Sequence, residues 1–146
     1  MMRSHGLTIT LAFCALWTPT ARADVDFNRD VRPILSARCF KCHGPDDTTR
    51  ESGLRLDTRE GAIAEADSGE HAIVPGKPDA SELLRRITSD DDSERMPPPE
   101  ANQDMTDTEI RILREWIADG AEYQPHWAYV APQRPDLPAV QATDWP

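Results

Sequence analysis

The sequence predicts an all-α fold, a small bundle of roughly three to five helices. Three observations carry this. Apolar residues recur at helical spacing in separate stretches: Phe27, Val31 and Ile34; Leu83, Leu84 and Ile87; and Ile110, Leu113, Trp116 and Ile117. The last of these is bracketed by start and stop signals, Thr106 with Glu109 before it and Gly120 after it. The pentamer Cys39-Phe40-Lys41-Cys42-His43 sets two cysteines three residues apart, the spacing of one helical turn.

Residues 1–23 have the form of a secretory signal peptide. Arg3 and His5 make a short polar start, Leu7 to Trp17 an apolar stretch too short to span a bilayer, and Ala21-Arg22-Ala23 an A-x-A cleavage site. Cleavage before Asp24 removes Cys14 and leaves Cys39 and Cys42 as the cysteines of the mature chain, with no stable membrane span. A lipoprotein reading around Cys14 is disfavoured by bulky Phe13. The remaining chain divides into a domain over 24–123 and a proline-rich linker, or the start of a further domain, over 124–146.

Within that domain, the first helix ends at Arg38 and begins near Asp30, so that Pro33 falls in its first turn. Gly44-Pro45-Asp46-Asp47 is a turn. Leu54 and Leu56, on either side of Arg55, suggest a short extended segment. Asp57 is the expected N-cap of a helix from Thr58 to Ala66, with Glu60 completing a capping box and Ser68-Gly69 ending it. Val74 to Pro78 is a loop, and a third helix runs from Asp79 to Thr88. Ser89 to Glu94 reads as a solvated acidic loop, without the glycine and distal glutamate of a calcium loop.

Met96-Pro97-Pro98-Pro99 forms a stiff extended loop, because a residue before proline is pushed out of the helical region. The final helix comes next, Thr106 its N-cap and Gly120 its C′ residue, with Met105 and Ile110 placed as a hydrophobic staple. Beyond Ala121, Pro125, Pro132, Pro135, Pro138 and Pro146 space a stretch without periodicity. It carries Trp127, Tyr129 and Trp145, and ends without a capping element, as in a piece of something longer.

Charge excludes one class of partner. Acidic residues number 26 against 16 basic, a formal net charge of −10, which repels the phosphates of nucleic acid. It favours partners whose docking face is basic or neutral.

Cys39 to His43 spell C-x-x-C-H, the attachment signature of a c-type haem. Cys39 and Cys42 would reach the two vinyl groups of one porphyrin through thioether bonds, and His43 would be the proximal iron ligand. The sixth ligand comes from Met96, Met105, His71 or His126. Met105 already has a packing role in the staple, so Met96 is the favoured distal ligand. A structural zinc site wants four ligands and this motif offers three; a thioredoxin-like site wants a βαβ setting that is absent. Export agrees with haem attachment, which bacteria carry out beyond the cytoplasm. Asp46 and Asp47 would favour the ferric state if they lay near the ring.

The order helix, C-x-x-C-H-G, loop, M-P-P-P and a capped helix ending Trp116-Ile117-Ala118 resembles the class I cytochrome c fold. More narrowly it is similar to the planctomycete-type cytochrome c domain. The matching stretches are Asp30 to Leu35, Cys39 to Gly44, Gly53 to Asp57, Val74 to Pro78, Met96 to Pro99 and Trp116 to Ala121. The resemblance implies a helical bundle around one covalently bound haem c. It implies Cys39, Cys42 and His43 as haem residues and Met96 as distal ligand. It also implies the N-terminal head of a larger exported protein, with His126 to Tyr129 at the junction to the downstream domains.

The expected function is one-electron transfer between redox partner proteins in the periplasm or an equivalent exported compartment, by a carrier rather than a catalyst. The alternatives are the redox head of a larger haem enzyme and a haem-based ligand sensor, both of which need an open iron position or a catalytic region beyond Pro146.

Overall fold

A computed structural model describes residues 24–135. The expected signal peptide, and Pro138, Trp145 and Pro146 of the terminal stretch, lie outside the described residues. Regular structure among the described residues is helical, with no strand; an isolated antiparallel bridge joins Glu65 to His71. The α-helices among them are α1 (Arg32–Arg38), α2 (Phe40–His43), α3 (Arg59–Ile63), α4 (Glu82–Ile87) and α5 (Asp107–Ala118). None of these is long and apolar enough to cross a membrane.

The first helical segment starts earlier than Asp30. A wide π-helical turn, Phe27–Val31, leads into α1, and the Arg32 N–H donates to the Phe27 carbonyl five residues back. Pro33 explains the form. It has no N–H to give and its ring crowds the carbonyl four residues upstream, so the chain enters α1 through a wider turn. Asp26 caps this turn by accepting from the Arg29 N–H (2.8 Å), and the Asp26 N–H donates to Asp30 in return (2.9 Å).

α3 is shorter than expected and has a different cap. The Thr58 hydroxyl accepts from the Gly61 N–H, while Asp57 is held by the Arg55 guanidinium at 3.0 and 2.6 Å. Ala64 turns extended and ends the helix. The chain then doubles back through a turn at Gly69 (φ +82), which lets Glu65 pair with His71. The helix expected over 79–88 is also broken. A 3-10 turn, Pro78–Ala80, gives way at extended Ser81 to α4. Buried Ser81 explains the break: its hydroxyl donates to the Lys77 carbonyl and accepts from the Val74 N–H, both at 3.0 Å, so side-chain bonds replace helical ones. Leu54 and Leu56 form no strand; the Leu56 N–H instead donates to the His43 carbonyl (2.8 Å).

α5 matches its expected form. Thr106 and Glu109 make a reciprocal capping box. At the far end the Gly120 N–H donates to the Ile117 carbonyl (3.1 Å) and the Ala121 N–H to the Trp116 carbonyl (2.9 Å). This pair of bonds is a Schellman stop, with Gly120 at φ +107. Leu113, Trp116 and Ile117 of α5 are buried in one core with Phe27, Val31 and Leu35 and with Leu83, Leu84 and Ile87, where α5 meets the Phe27–Val31 turn and α4. Met105 and Ile110 are half-buried against this core.

The chain beyond α5 remains attached to the domain for a few residues. Tyr123 stacks with Phe27 (4.5 Å) and Trp116 (5.2 Å), and its hydroxyl donates to the Leu56 carbonyl (3.0 Å). Gln124 donates to Asp26, and the Pro125 carbonyl accepts from Asn28. Packing therefore runs just past residue 123. Trp127 and Tyr129, in a 3-10 turn, are exposed.

Candidate functional site

The cysteine–histidine pentamer is wound into a single tight turn. Cys39 precedes α2 and its carbonyl accepts from the Cys42 N–H (3.1 Å) and the His43 N–H (2.8 Å). This turn is tied on three sides. The Cys42 carbonyl accepts from the Glu51 N–H and the His43 carbonyl from Leu56, each at 2.8 Å. Arg50 donates to the Gly44 and Pro45 carbonyls (3.1 and 2.9 Å), clamping the loop after the motif. Ahead of the motif, Arg38 reaches Glu109 of α5 at 3.1 Å, so the carboxylate that caps α5 also anchors the approach to Cys39.

Cys39, Cys42, His43 and Met96 line one open cleft of about 230 Å³. Its walls are mostly apolar: Leu54 and Leu56 from the loop after the motif, Ala72 before α4, Leu83 and Ile87 from α4, and Pro97 beside Met96. Arg38, Lys41, Arg86, Glu70 and Glu82 bring charge to the lining. The loop methionine and the motif are more than fifty residues apart in sequence, and α4 contributes to the same lining.

The two thiols differ. Cys42 is exposed; Cys39 is half-buried, and burial pushes its thiol up to about 12, with Arg38 opposing only in part. Cys39 thus stays a neutral thiol at physiological pH. Neither cysteine is in a disulfide. Burial also lowers the pKa of His43, partly offset by the nearby Glu51 backbone, so its imidazole is neutral. Its Nδ1 is buried without a hydrogen-bond partner. A neutral imidazole with an unsatisfied ring nitrogen, two cysteines in one turn and a thioether in the same apolar cleft form a donor set that fits a covalently held haem.

The other ligand candidates are elsewhere. His71 Nδ1 lies 2.9 Å from the Ile63 carbonyl, and the ring is not part of the cleft lining. His126 stacks on Trp127 (5.2 Å), its Nδ1 accepting from the Ala128 N–H. Met105 packs on the core. Asp46 and Asp47 also stay out of the lining: Asp46 accepts from Thr48 (2.9 Å from the backbone N–H) and Asp47 pairs with Arg50.

Sequence reasoning placed Gly44 at the end of the motif without its steric role, and missed Arg86 and the Arg38–Glu109 tie. A side chain at Gly44 would run into the Phe40 carbonyl oxygen. The glycine directly after C-x-x-C-H was a readable sign of close packing. Glu82 with Arg85 and Arg86, at i+3 and i+4, was likewise a readable pairing pattern. Arg38 and Glu109, 71 residues apart, carried no local signal.

Residues 39–100 match the family model for planctomycete cytochrome C. Comparison with curated proteins and with solved structures finds no match.

Proposed function

We propose, for a chain that carries a planctomycete-type cytochrome c domain over residues 39–100, one-electron transfer through a single haem c ligated by His43 and Met96. The observation that supports this most directly is the meeting of Cys39, Cys42, His43 and Met96 in one apolar cleft. When bound, the haem supplies an iron that takes up and releases one electron. Cys39 and Cys42 would hold it: each thiol would add across one vinyl group, forming a sulfur–carbon bond and leaving its hydrogen on the neighbouring carbon, with no oxidant consumed. Burial keeps Cys39 a neutral thiol, while Cys42 is open to solvent.

His43, held neutral by burial, offers a lone pair without first losing a proton. Met96 offers a soft sulfur, and a His/Met pair leaves no vacant position, which suits electron transfer better than ligand chemistry. The mostly apolar lining would raise the cost of the more highly charged oxidised state. In this reading the protein works in an exported compartment, its 1–23 segment acting as the export signal. It exchanges electrons with proteins whose docking faces are basic or neutral.

The test is covalent attachment in exported full-length protein. Haem is expected to stay with the denatured polypeptide, and the Cys39→Ala, Cys42→Ala double variant to lose it; haem released from the wild type on denaturation would refute the reading. Met96→Ala is expected to convert a six-coordinate low-spin iron into one that binds carbon monoxide readily. An unchanged spectrum there would move the distal ligand elsewhere.

A further inference from the structure

The acidic loop before Met96 is largely exposed, and its side chains turn on themselves: Asp91 accepts from the Ser93 N–H and hydroxyl, at 2.9 and 2.7 Å. Where Met96 comes to rest is set from α4. The Met96 N–H donates to the Arg86 carbonyl (3.1 Å). The Arg86 guanidinium reaches forward to the Glu94 carbonyl, two residues before Met96 (3.4 Å), and is held by Glu82 (2.8 Å). Glu82 also holds Arg85 (2.7 and 2.6 Å), which pairs in turn with the Glu94 side chain. Arg86 therefore grips the loop on both sides of Arg95, once by its backbone and once by its side chain, and it lines the same cleft as Met96 and His43.

We propose that Arg86, oriented by Glu82, is a positioning residue for the distal ligand: its side chain clamps the loop so that the Met96 sulfur is held in the cleft. The inference rests on Met96 being the distal ligand. A clamp of this kind sets how often the methionine leaves the iron, and hence how readily an outside ligand enters. Binding of such a ligand is weakened by the fraction of time the position is open. Any substitution at Arg86 keeps the carbonyl that receives the Met96 N–H, so the side-chain contribution can be read separately.

The experiment is titration of the ferric full-length holoprotein with imidazole, monitored by the visible spectrum. Arg86→Ala is expected to raise imidazole affinity on the order of fivefold, the scale of a partly exposed charged hydrogen-bond network. Glu82→Gln, which leaves both arginines in place, is expected to raise it in the same direction and serves where Arg86→Ala does not yield folded protein. Arg86→Lys keeps the charge without the planar fork and is expected to resemble Arg86→Ala.

In a Met96→Ala background the Arg86→Ala effect is expected to vanish. Persistence there, or full restoration by Arg86→Lys, overturns the clamp and assigns the effect to charge in the cleft. Unchanged imidazole affinity in Arg86→Ala, with Met96→Ala opening the iron, overturns the clamp alone. A Met96→Ala protein with an unchanged spectrum overturns both the clamp and the ligand assignment.

Discussion

Gly44 shows how a single residue without a side chain can govern a site. Its φ of −120 is available to any residue, so conformational freedom is not the reason for glycine here. The reason is steric: an added Cβ would press on the carbonyl oxygen of Phe40, a backbone atom inside the motif turn that cannot swing away. Gly44→Ala is expected to destabilise the domain by about 1–3 kcal/mol, the usual cost of overpacking. It should also lower the share of chains with attached haem. Chemical denaturation and a haem stain measure the two. Arg86 and Tyr123 act at the same scale through hydrogen bonds. Tyr123 donates to the carbonyl of Leu56, whose own N–H holds His43, so the chain after α5 is tied to the motif by two bonds in series.

At the level of elements, one carboxylate ties two helices together and another braces a single helix against the loop that follows it. Glu109 caps α5 and holds Arg38; Glu82 orients Arg85 and Arg86 on α4. Both carboxyls titrate below the ordinary glutamate value. For Glu109, burial acts the other way, but the Thr106 backbone and hydroxyl and Arg38 outweigh it; for Glu82, the Arg85 hydrogen bond leads. A folded-state pKa below the unfolded one gives stability that is present above the unfolded pKa and is lost as pH falls through the folded pKa. The urea midpoint is therefore expected to fall between about pH 6 and about pH 3. Glu109→Gln keeps the shape of the capping box and should flatten that fall; an equally steep fall in the variant would show that Glu109 is not among the groups responsible.

For the whole molecule, a net charge of −10 would steer how it meets other proteins. Charges on opposed surfaces attract over roughly 10 Å at about 0.1 M salt and over less as salt rises. Electron exchange with a basic partner is expected to slow several-fold between about 10 mM and about 0.2 M salt, measured by stopped-flow reduction of the holoprotein. A rate independent of salt would remove the acidic surface from the account of partner choice. The cleft lining sets Arg38, Lys41 and Arg86 against Glu70 and Glu82, so the cleft itself does not carry the acidic character of the chain.

What could be read directly from the chain was whatever depends on neighbours in sequence. The C-x-x-C-H spacing, the Thr106–Glu109 box, the Gly120 stop and the apolar stripe of α5 each need only one turn of helix to be recognised, and each has its expected form here. The extended loop expected over Met96 to Pro99 gives way at Pro99 to a 3-10 turn, Pro99–Ala101. Where the fold departs from expectation, a distant or competing partner decided the outcome. Asp57 lost the cap of α3 because Arg55 claimed it, and Ser81 broke the helix after Pro78 because its buried hydroxyl satisfied two backbone groups.

Leu54 and Leu56 made no strand because the Leu56 N–H was taken by the His43 carbonyl. The cleft itself belongs to this second kind. The local signals supplied its donors, but bringing Met96 into the same wall as His43 required α4, packed against α5, to hold the methionine loop by the carbonyl of Arg86. Hydrogen bonds and apolar contacts between residues tens of positions apart leave no periodic trace, so the donors could be named from the chain while their meeting in one cleft depended on the packed fold.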